Sequence, residues 1–101
     1  MSHKLRFLPN DGFDDSERAR LIAFIGAHPF DAVAEGLWRC RLPDLTTYGV
    51  EARRGYLVVQ HLDWRGIPTT LARIASAHHE QEAWCRAVQT VANHAEGRQA
   101  A

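Results

Sequence analysis

A histidine, an aspartate and an arginine follow closely on one another at the end of the most apolar run of the chain, LVVQHLDWRG (residues 57–66). His61 titrates near neutral pH and can act as a general base. Asp63 lies two residues further on, so on a strand it shares a face with His61 and can orient the imidazole. Arg65 adds a guanidinium suited to phosphate. The stretch predicts either an acid–base site or the polar end of a core strand, with Asp63 starting a turn.

Two further arginines, Arg39 and Arg41, occur at strand spacing in GLWRCR (residues 36–41). Residues two apart share one face of a strand, so both guanidinium groups point to the same side. The pair predicts either an RNA-binding surface or an ordinary solvated strand face.

Three possible metal ligands occur at helical spacing in HHEQEAWC (residues 78–85), namely His78, Glu82 and Cys85. Intervals of four and three residues place them along one side of a helix, but no second cluster completes a zinc site. An apolar line with a polar pair at its edge explains the same residues. We therefore expect no metal and no other cofactor.

The elements that must position these residues follow from hydrophobic periodicity and turn signals. Residues 4–8 predict a short strand. A helix follows, in which Asp14 and Glu17 have the spacing of a capping box and which Pro29 ends. Residues 31–36 predict one further helical turn.

The period then changes to two, which predicts three strands in an antiparallel meander over residues 36–42, 48–52 and 56–63. Gly55 takes the left-handed position in the loop before the last of them. A long helix is predicted from Pro68 to about residue 95, because an apolar line continues at helical spacing. This line consists of Leu71, Ile74, Ala77, Trp84, Cys85, Val88, Val91 and Ala92.

These elements predict one small two-layer α+β domain, β-α-(α)-β-β-β-α, over residues 1–95, with a frayed tail at 96–101. Twelve basic and twelve acidic side chains cancel, so contact with a polyanion requires a local patch. No apolar run reaches the roughly 18 residues that cross a bilayer, and no leader is evident, so we expect a cytoplasmic protein without membrane contact. Cys40 and Cys85 fall in different elements and are expected to be free, half-buried thiols, a disulfide between them being the minority alternative.

The last predicted strand is apolar on both faces, with Leu57 and Val59 on one side and Tyr56 and Val58 on the other. Two helices packed on a single face of the sheet would leave the other face for a second chain. We expect Leu57 and Val59 to bind a partner, either an antitoxin-like chain or another copy of the protein. The alternative is a central strand over which long arginine side chains fold.

Three segments taken together resemble the RelE/ParE/HigB superfamily of toxins from type II toxin–antitoxin systems. SERARLIAFIGAHP (residues 16–29) resembles the first helix of that family, and GLWRCR resembles its second strand. LVVQHLDWRG, followed by a helix, resembles its last strand. The resemblance spans roughly residues 5–85.

The resemblance implies a small cytoplasmic toxin held inactive by an antitoxin, and in the RelE and HigB branches a ribosome-dependent endonuclease that cuts messenger RNA. Such a reaction needs cations around the scissile phosphate and a group that assists attack by the 2′-hydroxyl. Arg39 and Arg41 match the basic residues of the family's second strand. His61 and Arg65 match the histidine and the first basic residue at the end of its last strand.

Two glycines depart from the family pattern, since Gly49 stands where arginine is usual and Gly66 where a second basic residue is common. A ParE-like toxin with another target, a weakened nuclease, or a relative kept for binding would each fit these departures. The sequence thus predicts a toxin-like endoribonuclease. The alternative is a non-catalytic interaction module, such as an immunity protein, an antitoxin-like chain or a phage-encoded inhibitor, that binds a protein through its sheet.

Overall fold

The computed structural model describes residues 13–76 and 80–100, without the side chains of residues 98–100. The strand predicted at residues 4–8 lies outside this part of the chain, as do Ala77 and His78. The elements are α1 (Asp15–Ala27), β1 (Phe30–Ala34), β2 (Leu37–Arg41), β3 (Thr47–Arg53), β4 (Tyr56–Leu62), β5 (Pro68–Ala75) and α2 (Glu80–Ala100). The strands form one antiparallel sheet in chain order, β1-β2-β3-β4-β5. The predicted α+β class is confirmed, with two more strands in the meander than the three expected.

Helix α1 begins as its sequence predicts. The Asp14 side chain accepts a hydrogen bond from the backbone N–H of Glu17 at 2.7 Å, which satisfies one of the free donors of the first turn. At the other end, the His28 N–H binds the carbonyl of Phe24, and Pro29 cannot extend the helix. Leu21 of α1 is fully buried against α2.

Residues 31–36 do not form the predicted helical turn but belong to β1 and to the turn that follows it. Phe30 pairs with Cys40 and packs against the core, so pairing with β2 determines the conformation of this short segment. Gly36 has a positive φ of 72°, which permits the tight reversal between β1 and β2.

The long C-terminal helix is confirmed, but its predicted start at Pro68 is wrong, because residues 68–75 form the edge strand β5. Pro68 is tolerated there as the first residue of an edge strand. A bulge opposite Val59 adds an extra residue to β5, so Leu71 and Ala72 both pack against the core. The bulge breaks the alternation of two and leaves Leu71 and Ile74 at an interval typical of a helix. Helix α2 begins only at Glu80 and continues to Ala100, through most of the segment predicted to be frayed.

The main core lies between α2 and one face of the sheet. Leu57 and Val59 are 2% and 0% exposed and belong to this core, so the prediction that they bind a partner is wrong. Helix α2 covers them, and α1 packs on α2 on the same side of the sheet. The core is made of Cys40, Leu42, Tyr48, Val50, Leu57, Val59, Ala83, Trp84, Ala87, Val91 and Ala95. Within the described part of the chain, no helix is long and apolar enough to cross a membrane.

Candidate functional site

The sheet separates the residues that the sequence predicts as one site. Tyr48 lies opposite His61 in the register of β3 and β4, and Tyr48 belongs to the core beneath α2. Since side chains alternate along a strand, His61 lies on this helix-covered face, whereas Arg39 and Arg41 lie on the other. Arg65 lies in the turn after β4. The four residues therefore do not surround a single ligand.

His61 belongs instead to a cluster of three rings with Tyr48 and His94, here called the aromatic cluster. Tyr48 Oη lies 2.7 Å from His94 Nδ1, which joins β3 to α2. The His61 ring centroid lies 5.3 Å from that of Tyr48 and 5.2 Å from that of His94. Tyr48 is fully buried, whereas both histidines are half-buried and so keep part of their surface open to solvent.

The sequence prediction missed His94. Its position in the sequence indicates which face of α2 it occupies. His94 follows Val91 by three residues and Ala87 by seven, and both of these are fully buried in α2. Residues at these intervals share one face of a helix, so His94 must point towards the sheet. Its partner Tyr48 is distant in sequence, and only the fold brings the two together.

The side chain of Asp63 stabilises the turn between β4 and β5. Its Oδ1 accepts hydrogen bonds from the backbone N–H groups of Arg65 at 2.8 Å and Ile67 at 2.9 Å. Gly66 has a positive φ of 82° in the same turn. The turn holds Trp64 outwards, 90% exposed, and the Arg65 guanidinium carbon lies 5.5 Å from the centroid of its ring. This is the arrangement expected of an aspartate that starts a turn.

The face of the sheet opposite α2, here called the open face, carries no helix of the described chain. Arg39 of β2 lies there across Gly49 of β3: a Cβ at position 49 would overlap Arg39 Nη1 and lie 3.5 Å from Gln60 Oε1. The Nη1 atom is buried and has no hydrogen-bond acceptor. The glycine therefore leaves space that the guanidinium fills. Val58, on the same face, is only 7% exposed although no described helix lies above it.

Most arginines with described side chains are neutralised by a carboxylate. These are Arg18, Arg20, Arg53, Arg65 and Arg86. Arg39, Arg41 and Arg73 form no ion pair in the structure, and strand alternation places all three on the open face. Arg54, in the turn between β3 and β4, is the remaining unpaired arginine among the described side chains.

The open face also carries two acidic residues. Glu51 pairs with Arg53 at 2.9 Å, so its charge is offset within the same strand. Asp31 lies opposite Arg39 in the register of β1 and β2 but forms no ion pair with it. The unpaired charge on this face is therefore positive.

Both cysteines are free and buried, more deeply than predicted. Burial, with a smaller contribution from the negative charge of Asp31, raises the pKa of the Cys40 thiol to about 12. Cys40 Sγ donates to the carbonyl of His28 at 3.4 Å. Neither thiol has the exposed, electropositive surroundings of a reactive cysteine.

The residues of the predicted metal motif have other roles where the structure describes them. Glu82 pairs with Arg86 at 2.8 Å, and Cys85 lies in the interior of the protein near Gln81. Over residues 13–76 and 80–97, no three metal-binding side chains lie close enough together to hold an ion.

Two features have side chains suited to binding or catalysis. They are the aromatic cluster beneath α2 and the unpaired arginines of the open face. They lie on opposite sides of the sheet. No protein-family model, no curated protein and no solved structure matches the chain. The likeness to RelE/ParE/HigB toxins therefore stands on its three sequence segments alone.

Proposed function

We propose that the protein is a non-catalytic interaction module that binds an acidic segment of a partner protein on the open face of its sheet. The observation that carries the proposal is the location of Arg39, Arg41 and Arg73, which are unpaired and share this face. An antitoxin-like chain is one partner with this chemistry.

The distribution of charge favours an external anion. Elsewhere in the described structure, most arginines are paired with carboxylates. Arg20, for example, forms ion pairs with Glu17 of its own helix and with Glu96 of α2, the latter at 2.8 Å. Arg39, Arg41 and Arg73 on the open face have no such partners among the described residues, although the chain as a whole is neutral. A positive patch on a neutral protein speeds encounter with an acidic partner and selects against a basic one.

The extent of the patch favours an acidic protein segment over a nucleic acid. Proteins that bind nucleic acids tightly through phosphates commonly make about six to ten such contacts. The open face offers three unpaired arginines, with Asp31 among them. Arg39 and Arg41 are separated by about 7 Å along β2, the distance between alternate side chains of an extended peptide. A segment with acidic residues at every second position matches this spacing.

The open face also has an apolar centre. Val58 is buried there, and Leu37, Tyr56 and Leu62 on the same face are half-buried. An apolar centre with charges around it is a common composition for a protein-binding surface. A partner with alternating acidic and apolar residues would contact both parts.

The test uses a short synthetic peptide of alternating glutamate and valine, with a lysine–valine peptide and a uridine oligonucleotide as comparisons. Nuclear magnetic resonance titration should shift the amide signals of β2 to β5 with the glutamate peptide alone. Arg41→Ala and Arg73→Ala should each weaken this binding, whereas Arg54→Ala removes an unpaired arginine outside the face and should not. Equal weakening by Arg54→Ala, or binding of the oligonucleotide in place of the peptide, would contradict the proposal.

The aromatic cluster favours a second candidate function, endoribonuclease activity. His61 and His94 bring two imidazoles within 5.2 Å of each other, and both are half-buried. One imidazole can accept the proton of the RNA 2′-hydroxyl as its oxygen attacks phosphorus. The other can protonate the 5′-oxygen as the P–O5′ bond breaks. Arg65, in the turn after β4, is the cation that the resemblance to the toxin family assigns to this reaction.

Expression in a bacterium tests this second candidate. Induction of the wild-type protein should arrest growth and cut messenger RNA, and His61→Ala or Arg65→Ala should relieve the arrest. The matched control is Arg54→Ala, which should remain toxic. Normal growth while a soluble, folded wild-type protein accumulates would remove the nuclease hypothesis.

A further inference from the structure

One row of residues crosses the open face from edge to edge. The register of the five strands aligns Asp31, Arg39, Gly49, Gln60 and Thr70. Gly49, at the centre of the row, has no side chain and leaves a gap in the surface. The side chains of Arg39 and Gln60 reach into this gap from the strands on either side.

The gap holds a cation that no described residue satisfies. Arg39 Nη1 is buried without an acceptor, and burying a charged donor in this way costs free energy. Its cross-strand neighbour Asp31 forms no ion pair with it, and the Gln60 oxygen near the gap accepts no hydrogen bond from it. Nη1 is closed to solvent, so an acceptor from another molecule can reach only the other N–H groups of the guanidinium.

The shape of the site indicates the kind of acceptor. Arg39 is half-buried, so part of the guanidinium stays open to a ligand. A guanidinium presents two parallel N–H groups that match the two oxygens of a carboxylate. The Thr70 hydroxyl, further along the row, can donate another hydrogen bond, whereas the Gln60 atom nearest the gap is its amide oxygen, which accepts. The guanidinium fills the space that Gly49 leaves, so a ligand binds at its outward edge, which accommodates one carboxylate.

We infer that the Arg39 guanidinium, seated in the gap at Gly49, is a binding site for one carboxylate, and that a glutamate or aspartate of the partner is anchored there. The identity of the partner rests on the proposed function, whereas the carboxylate site does not. Gly49 is a binding determinant because it lets the guanidinium lie against the sheet.

Two variants test the site without removing its charge. Gly49→Ala places a methyl group where Arg39 Nη1 lies, so the guanidinium must move. Arg39→Lys keeps a cation but loses the two-pronged geometry. Each should weaken binding of the glutamate–valine peptide about tenfold, equivalent to about 1.4 kcal/mol. The control Arg54→Lys makes the same exchange at an unpaired arginine outside the open face and should change the affinity less than about twofold. Wild-type affinity in both test variants would overturn the inference and leave the proposed function standing.

A second measurement tests the carboxylate site in the absence of any partner peptide. Titration with acetate should shift the Nε–H signal of Arg39, which is identified by its loss in Arg39→Lys, and Gly49→Ala should abolish the shift. A shift with acetate but no binding of the peptide would support the carboxylate site and count against the proposed function. A shift with inorganic phosphate and none with acetate would show that the site prefers a tetrahedral anion, which would overturn the inference.

Discussion

Tyr48 of β3 and His94 of α2 are joined by a hydrogen bond, with Tyr48 Oη 2.7 Å from His94 Nδ1. Tyr48 is fully buried, so water cannot replace the histidine as its partner. The ring of His61 packs against both. This contact ties the centre of the sheet to the C-terminal half of α2.

Tyr48→Phe should therefore lower the free energy of unfolding by about 1 to 2 kcal/mol, because the substitution removes the hydroxyl and leaves His94 Nδ1 without its partner. Urea denaturation measures the change. The matched control is Tyr56→Phe, since the half-buried Tyr56 forms no hydrogen bond through its hydroxyl in the structure. Similar losses in the two variants would mean that the Tyr48–His94 bond contributes nothing of its own.

Val59→Glu should prevent folding. Val59 is fully buried beneath α2, and an unpaired carboxylate there costs several kcal/mol, comparable with the whole stability of a small domain. The matched control is Val33→Glu, because Val33 is 56% exposed on the edge strand β1. Circular dichroism should show a folded Val33→Glu and an unfolded Val59→Glu. A folded, soluble Val59→Glu would restore the partner-binding role that the sequence predicts for this face.

The parts of the fold that the sequence predicts correctly are those with local signals. The cap of α1 depends on Asp14 and Glu17, three residues apart. Strands β2 and β3 alternate, so their period of two is visible in the sequence, whereas β4 is marked by its short apolar run between Gly55 and Asp63. The sequence does not predict β5, because the bulge in that strand hides the alternation. It does not predict β1, because the conformation of β1 depends on pairing with β2.

The candidate site required information that no local pattern contains. His61 and Arg39 were both predicted as functional, but the strand register places them on opposite faces of the sheet. His94 meets Tyr48 from 46 residues away. Gly49 departs from the pattern of the resembling family, and only the register reveals that Arg39 of the neighbouring strand fills its place.

The stability of the protein should fall in acid partly through Glu17. Its hydrogen bond with Arg20, and next that with Gln89 of α2, lower its pKa from 4.5 to about 2. A carboxyl group whose pKa is lowered by folding stabilises the folded state above its unfolded pKa. This contribution is lost as the pH falls from about 4.5 through about 2.

Glu17→Gln should consequently reduce the dependence of the unfolding free energy on pH between about pH 5 and pH 2. Urea denaturation at a series of pH values measures this slope. Glu35→Gln is the control, since Glu35 lies exposed in the turn between β1 and β2, and it should keep the slope of the wild type. An unchanged slope in Glu17→Gln would show that the contacts between α1 and α2 do not depend on the charge of Glu17.

Asp31→Asn should strengthen binding of the glutamate–valine peptide about two- to threefold, since Asp31 is the cross-strand neighbour of Arg39 and its negative charge repels an incoming carboxylate. Titration at low and high salt measures the effect, which should shrink as salt screens the charges. Glu35→Gln removes an equal charge just beyond the end of β1 and should have a smaller effect. Weaker binding in Asp31→Asn would show instead that the aspartate helps to position the Arg39 guanidinium, which would make Asp31 part of the binding site rather than a competitor for it.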